Sequence, residues 1–318
     1  MSSPVVTVIV PGRDVAPYAD DALSSLRNQT LGEWTAILID DGSRDATGRI
    51  FAAAADSDPR FRVVSHERAV GLGAARNVGL DRVETPFVAF LDADDILTPS
   101  ALERWVSTLD TSGSDFVAGA YVRLRPTDEG YVAGPVQPWV AASTRPARTG
   151  TTLADHPEAS GNIVAWSKAS RIEFWRRHRL RFPEDRLYED QVVAQQMYTR
   201  ARAFDVIPDV VVHWRERADG SSITQHRAQL PVLSDYAEAL RSGLAVLDAA
   251  DARAAAEARV RLVLDMDIPP LVRIAATHPD PQYRRQVGAL VREFHERAVA
   301  HPAADPATAE LWAIARLW

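Results

Sequence analysis

Short apolar runs alternate with segments of helical spacing through the first hundred residues. Val5–Val10 is a β-branched apolar run, as expected of a strand that is covered on both faces. Ala16–Gln29 has helical spacing, because Ala22, Leu23 and Leu26 fall on one side of a helix. The same alternation predicts further strands and helices at Thr35–Ile39, Ala46–Ala55, Arg62–Ser65, Gly73–Arg82 and Pro86–Leu91. It therefore favours an α/β fold with a mostly parallel sheet, right-handed crossovers and helices on both faces.

The pattern loosens after residue 102. Proline, glycine and threonine are frequent in 123–152, which predicts a long irregular excursion. The remaining elements before the C-terminal region are predicted at Ala101–Leu109, Asp115–Tyr121, Ser170–Arg179, Asp190–Ala203 and Val206–Trp214, the second and last being strands. From Arg227 onward the sequence is rich in Ala, Leu and Arg and predicts a helical appendage. We expect one domain at 1–226, with an acceptor-side excursion at about 123–162, and a C-terminal helical region at 227–318.

Composition narrows the classes of function. With 318 residues, 46% hydrophobic and 25% charged, the chain is an ordinary globular protein of about two domains. A net charge of −7 argues against nucleic acid as a partner. Cysteine is absent, which excludes disulfides and thiolate metal sites. No signal peptide or long apolar span is visible, so we expect a cytoplasmic protein. The apolar face of Leu311–Trp318 leaves open a peripheral membrane contact, an oligomer contact, or packing within or beyond this chain.

An acidic cluster directly follows the fourth predicted strand. Asp92, Asp94 and Asp95 come after the apolar run 88–91, and ligands of open α/β sheets bind beyond the carboxyl ends of strands. Crowded carboxylates repel one another unless a cation joins them, and hard oxygen donors suit Mg²⁺ or Mn²⁺. These residues therefore predict a site for a divalent metal and a phosphorylated substrate. The alternative is that Asp92 or Asp95 caps the helix that begins near Pro99.

Two other acidic pairs end elements of the predicted sheet. Asp40 and Asp41 follow the second strand and could bind a nucleobase or ribose, or could form a turn and helix cap. Glu189 and Asp190 begin a helix, where a carboxylate could cap the helix or act as a general base toward a hydroxyl.

Several basic residues accompany these acids. Arg76 follows a Gly-x-Gly turn that is a weak match to a dinucleotide fingerprint, but its guanidinium could reach a diphosphate. Arg215 and Arg217 could bind phosphate or lie in a solvated loop. His213 could be a third metal ligand or a buried strand histidine. Lys168 is the only lysine, so any mechanism that needs a lysine must use it.

Taken together, these motifs resemble family-2 glycosyltransferases of the GT-A fold, a Rossmann-like fold of nucleotide-diphospho-sugar transferases. The matching pieces cover about residues 4–225 and occur in the family's order: Val-Thr-Val-Ile-Val-Pro11, Ile-Asp-Asp41-Gly-Ser-Arg-Asp45, Gly73-Ala-Ala-Arg76-Asn77-Val-Gly79, Phe90-Leu-Asp92-Ala-Asp94-Asp95 and Tyr188-Glu-Asp190. A second set resembles glycosyltransferase domains of bacterial, including actinobacterial, assembly of cell-wall and teichoic-acid-type polymers. That set is Trp166-Ser-Lys168, Leu180-Arg-Phe-Pro-Glu184, Leu187-Tyr-Glu-Asp190, Trp214-Arg-Glu-Arg217 and Ser222-Ile-Thr-Gln225.

The resemblance implies an inverting, metal-dependent transfer of a sugar from a UDP-sugar to an acceptor hydroxyl. The acceptor would belong to a cell-wall polymer, a glycolipid or a natural product. Asp190 would be the general base, with Glu189 beside it, and Mg²⁺ or Mn²⁺ would bind Asp94 and Asp92, with His213 completing the metal shell. The residues implied in binding the nucleotide sugar are Pro11, Arg13, Asp41, Arg76, Asp92, Ala93, Arg215 and Arg217.

The sequence departs from the family at Gly12-Arg13-Asp14, where an aromatic residue and Asn are usual, and at Ser167, where Asn is usual. Two other functions stay open. Asp92-Ala-Asp94 superficially matches phosphatases and phosphotransferases of the haloacid dehalogenase type, although those place the motif after the first strand. A non-catalytic module that binds nucleotide sugars would need the same pocket without turnover.

Overall fold

The computed structural model describes residues 3–220, 222, 226–298, 302–303 and 305–318. They form a ten-stranded mixed sheet. Its strands are β1 (Val6–Gly12), β2 (Trp34–Asp40), β3 (Phe61–Ser65), β4 (Phe87–Phe90), β5 (Ile96–Leu97), β6 (Phe116–Thr127), β7 (Gly130–Val136), β8 (Arg148–Thr151), β9 (Lys168–Arg171) and β10 (Phe204–Arg215). The strand order is β3-β2-β1-β4-β9-β6-β10-β5, with β7 paired to β6 and β8 paired to β10.

Helices cover both faces of the sheet and form the C-terminal region. Short 3₁₀ turns lie at Pro157–Gly161 and Ala165–Ser167, and a π-helical segment lies at Val263–Asp267. The α-helices are α1 (Ala16–Arg27), α2 (Thr47–Ser57), α3 (Leu72–Leu80), α4 (Ala101–Ser112), α5 (Pro138–Thr144), α6 (Ile172–His178), α7 (Asp190–Arg200), α8 (Leu230–Ala249), α9 (Arg253–Leu262), α10 (Ile268–Thr277), α11 (Pro281–Arg297) and α12 (Pro306–Ala315).

The N-terminal half of the sheet is parallel, as the alternation of strands and helices predicts. β1 lies between β2 and β4, and every residue of β1 is buried. Because the three strands run in one direction, their carboxyl ends meet at one edge of the sheet. Backbone bonds continue past β4 there: Leu91 donates to Ile9 over 3.0 Å, and Ala93 donates to Pro11 over 3.2 Å. This edge places the Asp92–Asp95 segment beside the end of β1.

The other half of the sheet contains an antiparallel strand that the sequence does not predict. β9 pairs antiparallel with both β4 and β6. Ser170 and Arg171 therefore belong to a strand, and the predicted helix at Ser170–Arg179 is wrong at its start, because α6 begins at Ile172. Four residues are too short to show the alternation of an exposed strand, and β9 is almost entirely buried.

The segment 123–152 is mostly regular, which corrects the predicted irregular excursion. β6 continues to Thr127 and turns into β7 as a hairpin, with Gly130 at a φ of 128°. Residues with a Cβ rarely adopt a φ of this value, so the turn favours glycine. α5 and β8 then follow, and β8 pairs with β10. The prediction failed because β7 and the last residues of β6 are largely exposed, so apolar alternation is weak.

The C-terminal helices pack onto the sheet domain. Arg259 on α9 donates a 3.1 Å hydrogen bond to Gln191 on α7, and the backbone N–H of Leu187 donates to Asp235 on α8. One apolar core cluster includes residues from both regions, so the boundary at 226/227 stays a prediction from sequence. No helix among the described residues is long and apolar enough to cross a membrane.

The apolar face at the C-terminus finds part of its partner within the chain. Trp312 is buried and donates to the carbonyl oxygen of Leu264, while Leu311 and Trp318 pack against the core. Ile314 and Leu317 are 42% and 87% exposed. Of the choices left open by the sequence, packing within the chain holds for Leu311 and Trp318, whereas Ile314 and Leu317 are exposed.

Candidate active site

The acidic cluster does not cap a helix. α4 begins after Ser100, whose side chain makes no cap hydrogen bond, and the backbone N–H of Leu102 in its first turn donates to Gln29 Oε1 over 3.0 Å. Asp95 is buried and accepts a 2.8 Å hydrogen bond from the backbone N–H of Arg215. Burial and the charges of Asp94 and Asp92 raise the pKa of Asp95 well above its ordinary value. The cluster is therefore a crowded set of carboxylates at the carboxyl edge of the sheet.

Two arginines at the end of β10 bind this cluster. Arg217 Nε donates to Asp94 Oδ2 over 2.7 Å. Arg215 is buried; its Nε donates to the Asp94 carbonyl oxygen over 2.8 Å, and its Nη2 donates to Asp21 over 2.7 Å. Burial raises the pKa of Asp94, Arg217 opposes the rise, and Asp92 adds to it. The structure thus brings Arg215 and Arg217 to the acidic cluster, while their expected contact with phosphate stays a prediction.

Arg76 joins the acidic cluster to the start of α7. Its Nη2 donates to Asp92 over 2.5 Å, and its Nη1 donates to Glu189, 113 residues away. Burial opposes the charge of Arg76, but Asp92 and Glu189 hold the pKa of its guanidinium above the ordinary value. Arg76 is 1% exposed and its guanidinium contacts carboxylates in this structure, so its expected contact with a nucleotide stays a prediction.

The glycines around α3 allow close packing. Gly71 precedes the helix at a φ of 93°, a conformation that favours glycine. A Cβ placed on Gly73 would lie 2.0 Å from the carbonyl oxygen of Pro183, in the segment that leads to Glu189. The Gly-x-Gly turn therefore brings α3, with Arg76, against that segment, and this packing explains it without a dinucleotide.

Asp190 does not act as a helix cap in this structure. α7 begins at Asp190 after Glu189, without a side-chain cap hydrogen bond. Burial raises the pKa of Asp190 to about 7, Glu189 adds to the rise, and Arg76 opposes it. Burial also raises the pKa of Glu189, against the charge of Arg76. A carboxylate that titrates near neutral pH is suited to accept a proton.

Asp41 organises a loop at the next strand end. Its carboxylate accepts hydrogen bonds from the backbone N–H groups of Val70 and Gly71 at 2.8 and 3.0 Å, and it lies 3.0 Å from His66 Nδ1. Asp41 is buried, so its expected contact with a nucleobase stays a prediction. Arg13 is exposed at the end of β1, where it remains available to stack on a base.

Gly12, where the sequence departs from the family, is closely surrounded. A Cβ on Gly12 would lie 3.0 Å from each of Ala93 Cβ, Phe51 Cζ and Val15 Cγ2. Pro11 and Ala93 are joined by a backbone hydrogen bond just beside it. A side chain at this position would require these neighbouring side chains to shift by a few tenths of an ångström.

The donor set fits a metal ion only in part. Among the described residues, no group of three or more His, Asp or Glu side chains is placed to hold a metal, so His213 does not complete one. His213 is partly buried and its backbone pairs with Ile96, and burial lowers the pKa of its imidazole. Magnesium commonly takes one or two carboxylates and completes its shell with substrate phosphates. Asp92 and Asp94 fit a Mg²⁺ or Mn²⁺ ion of that kind.

Sequence reasoning missed three side chains that surround the arginines. Arg215 packs over the rings of Tyr131 and Tyr18, at 4.3 and 5.2 Å to the centroids, and Asp21 accepts its hydrogen bond. The Tyr131 hydroxyl also accepts a 3.3 Å hydrogen bond from the backbone N–H of Ala218. These residues lie in α1 and β7, with no sequence motif to mark them. Most of the segment 222–225, part of the resemblance, lies outside the described residues.

A known protein family matches half of this chain. The model of Glycosyl transferase family 2 matches residues 7–165, half of the chain. The chain therefore belongs to glycosyltransferase family 2.

Individual relatives extend this result. The Bacillus subtilis (strain 168) protein EpsH is 28% identical over 227 residues, which cover 68% of this chain and 62% of EpsH. The chain thus spans about three fifths of the length of this relative. The crystal structure of S. aureus TarS 1-349 in complex with UDP-GlcNAc is similar over 98% of this chain and 87% of that one, with a TM-score of 0.71 and 19% identity. A mannosyltransferase from Pyrobaculum calidifontis in complex with GDP-Man and Mn²⁺ matches all of this chain and 88% of that one, with a TM-score of 0.58 and 18% identity. The GT-A-like fold expected from sequence is confirmed.

Proposed function

We propose that this protein is an inverting, metal-dependent glycosyltransferase that moves a sugar from a UDP-sugar to an acceptor hydroxyl. One observation carries the proposal: Arg76 binds both Asp92 and Glu189, so the acidic cluster and the carboxylate pair that includes Asp190 lie at one site. The acidic cluster and the carboxylate pair are about a hundred positions apart in sequence. A site that transfers an activated sugar needs both, the cluster for the diphosphate and the pair for the acceptor hydroxyl.

The roles follow from the charges. Asp92 and Asp94 would hold a divalent ion together with the donor's diphosphate, and the ion would neutralise the negative charge that builds on the leaving group. Arg217, already at Asp94, is placed to contact the same phosphates. Asp190 accepts the proton of the acceptor hydroxyl. As that oxygen forms its bond to the anomeric carbon, the bond from the carbon to the diphosphate oxygen breaks, and the electron pair leaves with the diphosphate. A single in-line displacement inverts the anomeric carbon.

The choice of donor and metal draws on similar folds. The structure of TarS contains UDP-GlcNAc, and that of the mannosyltransferase contains GDP-Man and Mn²⁺. We therefore propose a nucleoside diphosphate sugar, with uridine as the nucleoside, and Mg²⁺ or Mn²⁺. The acceptor would be the hydroxyl of a cell-wall polymer, a glycolipid or a natural product. The hairpin of β6 and β7 borders the site through Tyr131 and would face this acceptor. A cytoplasmic location stays a prediction from sequence.

The phosphatase alternative is disfavoured by the only lysine. Haloacid dehalogenase enzymes need a lysine with their Asp-x-Asp pair. Lys168 instead donates its hydrogen bonds to Asn162 and Val164. A non-catalytic module would bind the same nucleotide sugar, so only a measurement of turnover distinguishes it from an enzyme.

Calorimetric titration with UDP, UDP-GlcNAc and GDP-mannose, each with and without Mn²⁺, tests the donor site. We expect binding of at least one of these to tighten with Mn²⁺, and Asp94→Asn to remove that gain. Asp209→Asn is the matched control, because Asp209 forms an ion pair with Arg104 on the surface. An undiminished effect of Mn²⁺ in Asp94→Asn, or phosphate release from simple phosphomonoesters, would count against the assignment.

A further inference from the structure

Lys168 lies in a cage of oxygen atoms in the interior. It is 2% exposed and begins β9. Its Nζ donates to the carbonyl oxygens of Asn162 and Val164, each over 2.7 Å, and to Asn162 Oδ1 over 2.9 Å. The Asn162 oxygen is held in place, since Ser167 also donates to it over 2.9 Å. All three contacts of the amine are therefore with acceptors.

Three oxygen acceptors around Nζ favour the ammonium form of Lys168. An ammonium has three N–H donors, whereas a neutral amine has two donors and a lone pair that would face an oxygen. Burial lowers the pKa of Lys168 to about 7, and the charge of Asp190 limits that fall. None of the three acceptors is a carboxylate, so the cation is hydrogen-bonded without being neutralised.

Asp190 is the carboxylate whose charge acts on this cation. Lys168 and Asp190 both line a cavity of about 10 Å³, roughly the space that one water molecule needs. Apolar side chains form most of the remaining wall, among them Phe90, Trp175 and Met197. Charges interact strongly across a small apolar gap, because little water screens them.

The charged groups around Asp190 explain why a second cation is needed there. Glu189 and Asp92 disfavour its ionisation, while Arg76 and Lys168 favour it. Arg76 already donates to both Asp92 and Glu189. Three carboxylates thus share one arginine, and Lys168 supplies the remaining positive charge.

We propose that Lys168 is a positioning residue whose buried ammonium group keeps Asp190 ionised, so that Asp190 can accept the proton of the acceptor. The role in catalysis rests on the proposed function, whereas the pairing of the two charges does not.

Because Lys168 is the only lysine, the pairing can be measured directly. Protein labelled with ¹³C,¹⁵N-lysine gives one lysine side-chain signal, and its titration reports the pKa of Lys168 alone. We expect Asp190→Asn to lower that midpoint by about one pH unit, the size typical of losing a nearby opposite charge. Glu173→Gln, which changes an exposed carboxylate on α6, is the matched control and should leave the midpoint unchanged. An equal midpoint in wild type and Asp190→Asn would overturn the proposal, and no lysine variant has to fold for this test.

Kinetics then test the consequence for the reaction. In Lys168→Met, the acidic midpoint of the pH profile of kcat/KM should move upward, again by about one pH unit, while UDP affinity is unchanged. Lys168→Arg keeps the positive charge and should return the midpoint toward that of the wild type. If Lys168→Met and Lys168→Arg both turn over more slowly and the acidic midpoint of kcat/KM stays where it is in the wild type, Lys168 is only structural. If the NMR coupling is present but Asp190→Asn retains full turnover, the proposed function fails and the charge pairing stands.

Discussion

Arg217 donates a 2.7 Å hydrogen bond through its Nε to the Oδ2 atom of Asp94. Asp94 would also hold the metal ion of the proposed reaction, so the guanidinium of Arg217 and the ion would compete for one carboxylate. The positive charge of Arg217 would have two effects: it would compete with a metal ion at Asp94, and it would attract the phosphates of the donor. Replacing Arg217 changes these two effects in opposite directions.

The first prediction concerns Arg217→Gln. Without the competing guanidinium, Mn²⁺ should bind the nucleotide-free protein about fivefold more tightly. This is equivalent to about 1 kcal/mol, the upper end of the range for a surface ion pair, because Arg217 and Asp94 are only partly exposed. UDP affinity should fall, because the proposed contact of Arg217 with the diphosphate would be lost. Calorimetry measures both. Arg104→Gln, which removes the surface partner of Asp209, is the control. Unchanged Mn²⁺ affinity in Arg217→Gln would show that the guanidinium does not compete with metal.

The second prediction concerns pH. Burial raises the pKa of Asp190 to about 7, and a general base must be ionised to act. Activity should therefore be low in acid, rise with pH and level off above about 7, with a limiting slope of about 1 in a plot of log kcat/KM against pH. A profile already flat at about pH 5 would contradict the assignment of Asp190, whose ordinary pKa lies near 3.9.

The third prediction concerns stability. Arg76→Met should cost about 3 kcal/mol of unfolding free energy at neutral pH, because Asp92 and Glu189 would stay partly or fully buried without their cation. Burial already raises the folded-state pKa of Glu189, and loss of Arg76 would raise it further above that of the unfolded chain. Such groups favour folding below the unfolded pKa and oppose it as pH rises, so the deficit should shrink toward about pH 4.

Urea denaturation at several pH values measures this deficit, with Arg49→Met as the control on an exposed face of α2. A deficit that stays constant or grows in acid would mean that the loss is one of packing and not of charge.

The fourth prediction concerns Gly73. In Gly73→Ala, the new Cβ would lie 2.0 Å from the carbonyl oxygen of Pro183, so the backbone must shift. We expect a loss of about 1–3 kcal/mol, typical of overpacking, together with reduced turnover as Glu189 moves from Arg76. Gly32→Ala is the matched control, since nothing lies within 4 Å of its Cβ position. If Gly73→Ala and Gly32→Ala unfold at the same temperature, close packing at Gly73 does not contribute to stability.

The sequence predicts well what depends on local pattern. The run Val5–Val10 and the helix that follows it are found within a few residues of their predicted bounds, and the carboxyl edge that carries Asp92 follows from parallel pairing. β9 and the hairpin at Gly130 were missed, because one strand is four residues long and the other is largely exposed. Pairing with distant strands fixes both, and a local pattern does not record it.

In the site, too, the sequence predicts local motifs but not the contacts between distant residues. Motifs identified the acids and arginines, but the partner of Arg76 lies 113 positions away, at Glu189, and only the fold joins them. Arg76 was expected to contact a nucleotide because a guanidinium suits a diphosphate equally well. The choice between a carboxylate and a phosphate partner depends on burial, which the motif does not specify.

The most direct test of the central claim compares Asp190→Asn with Asp185→Asn, an exposed carboxylate five residues earlier. UDP release from a UDP-sugar in the presence of acceptor measures turnover, and calorimetry measures donor affinity. We predict that Asp190→Asn lowers turnover by at least about 100-fold, the usual contribution of a general base, while the donor still binds and Asp185→Asn behaves as wild type. Wild-type turnover in Asp190→Asn would contradict the account.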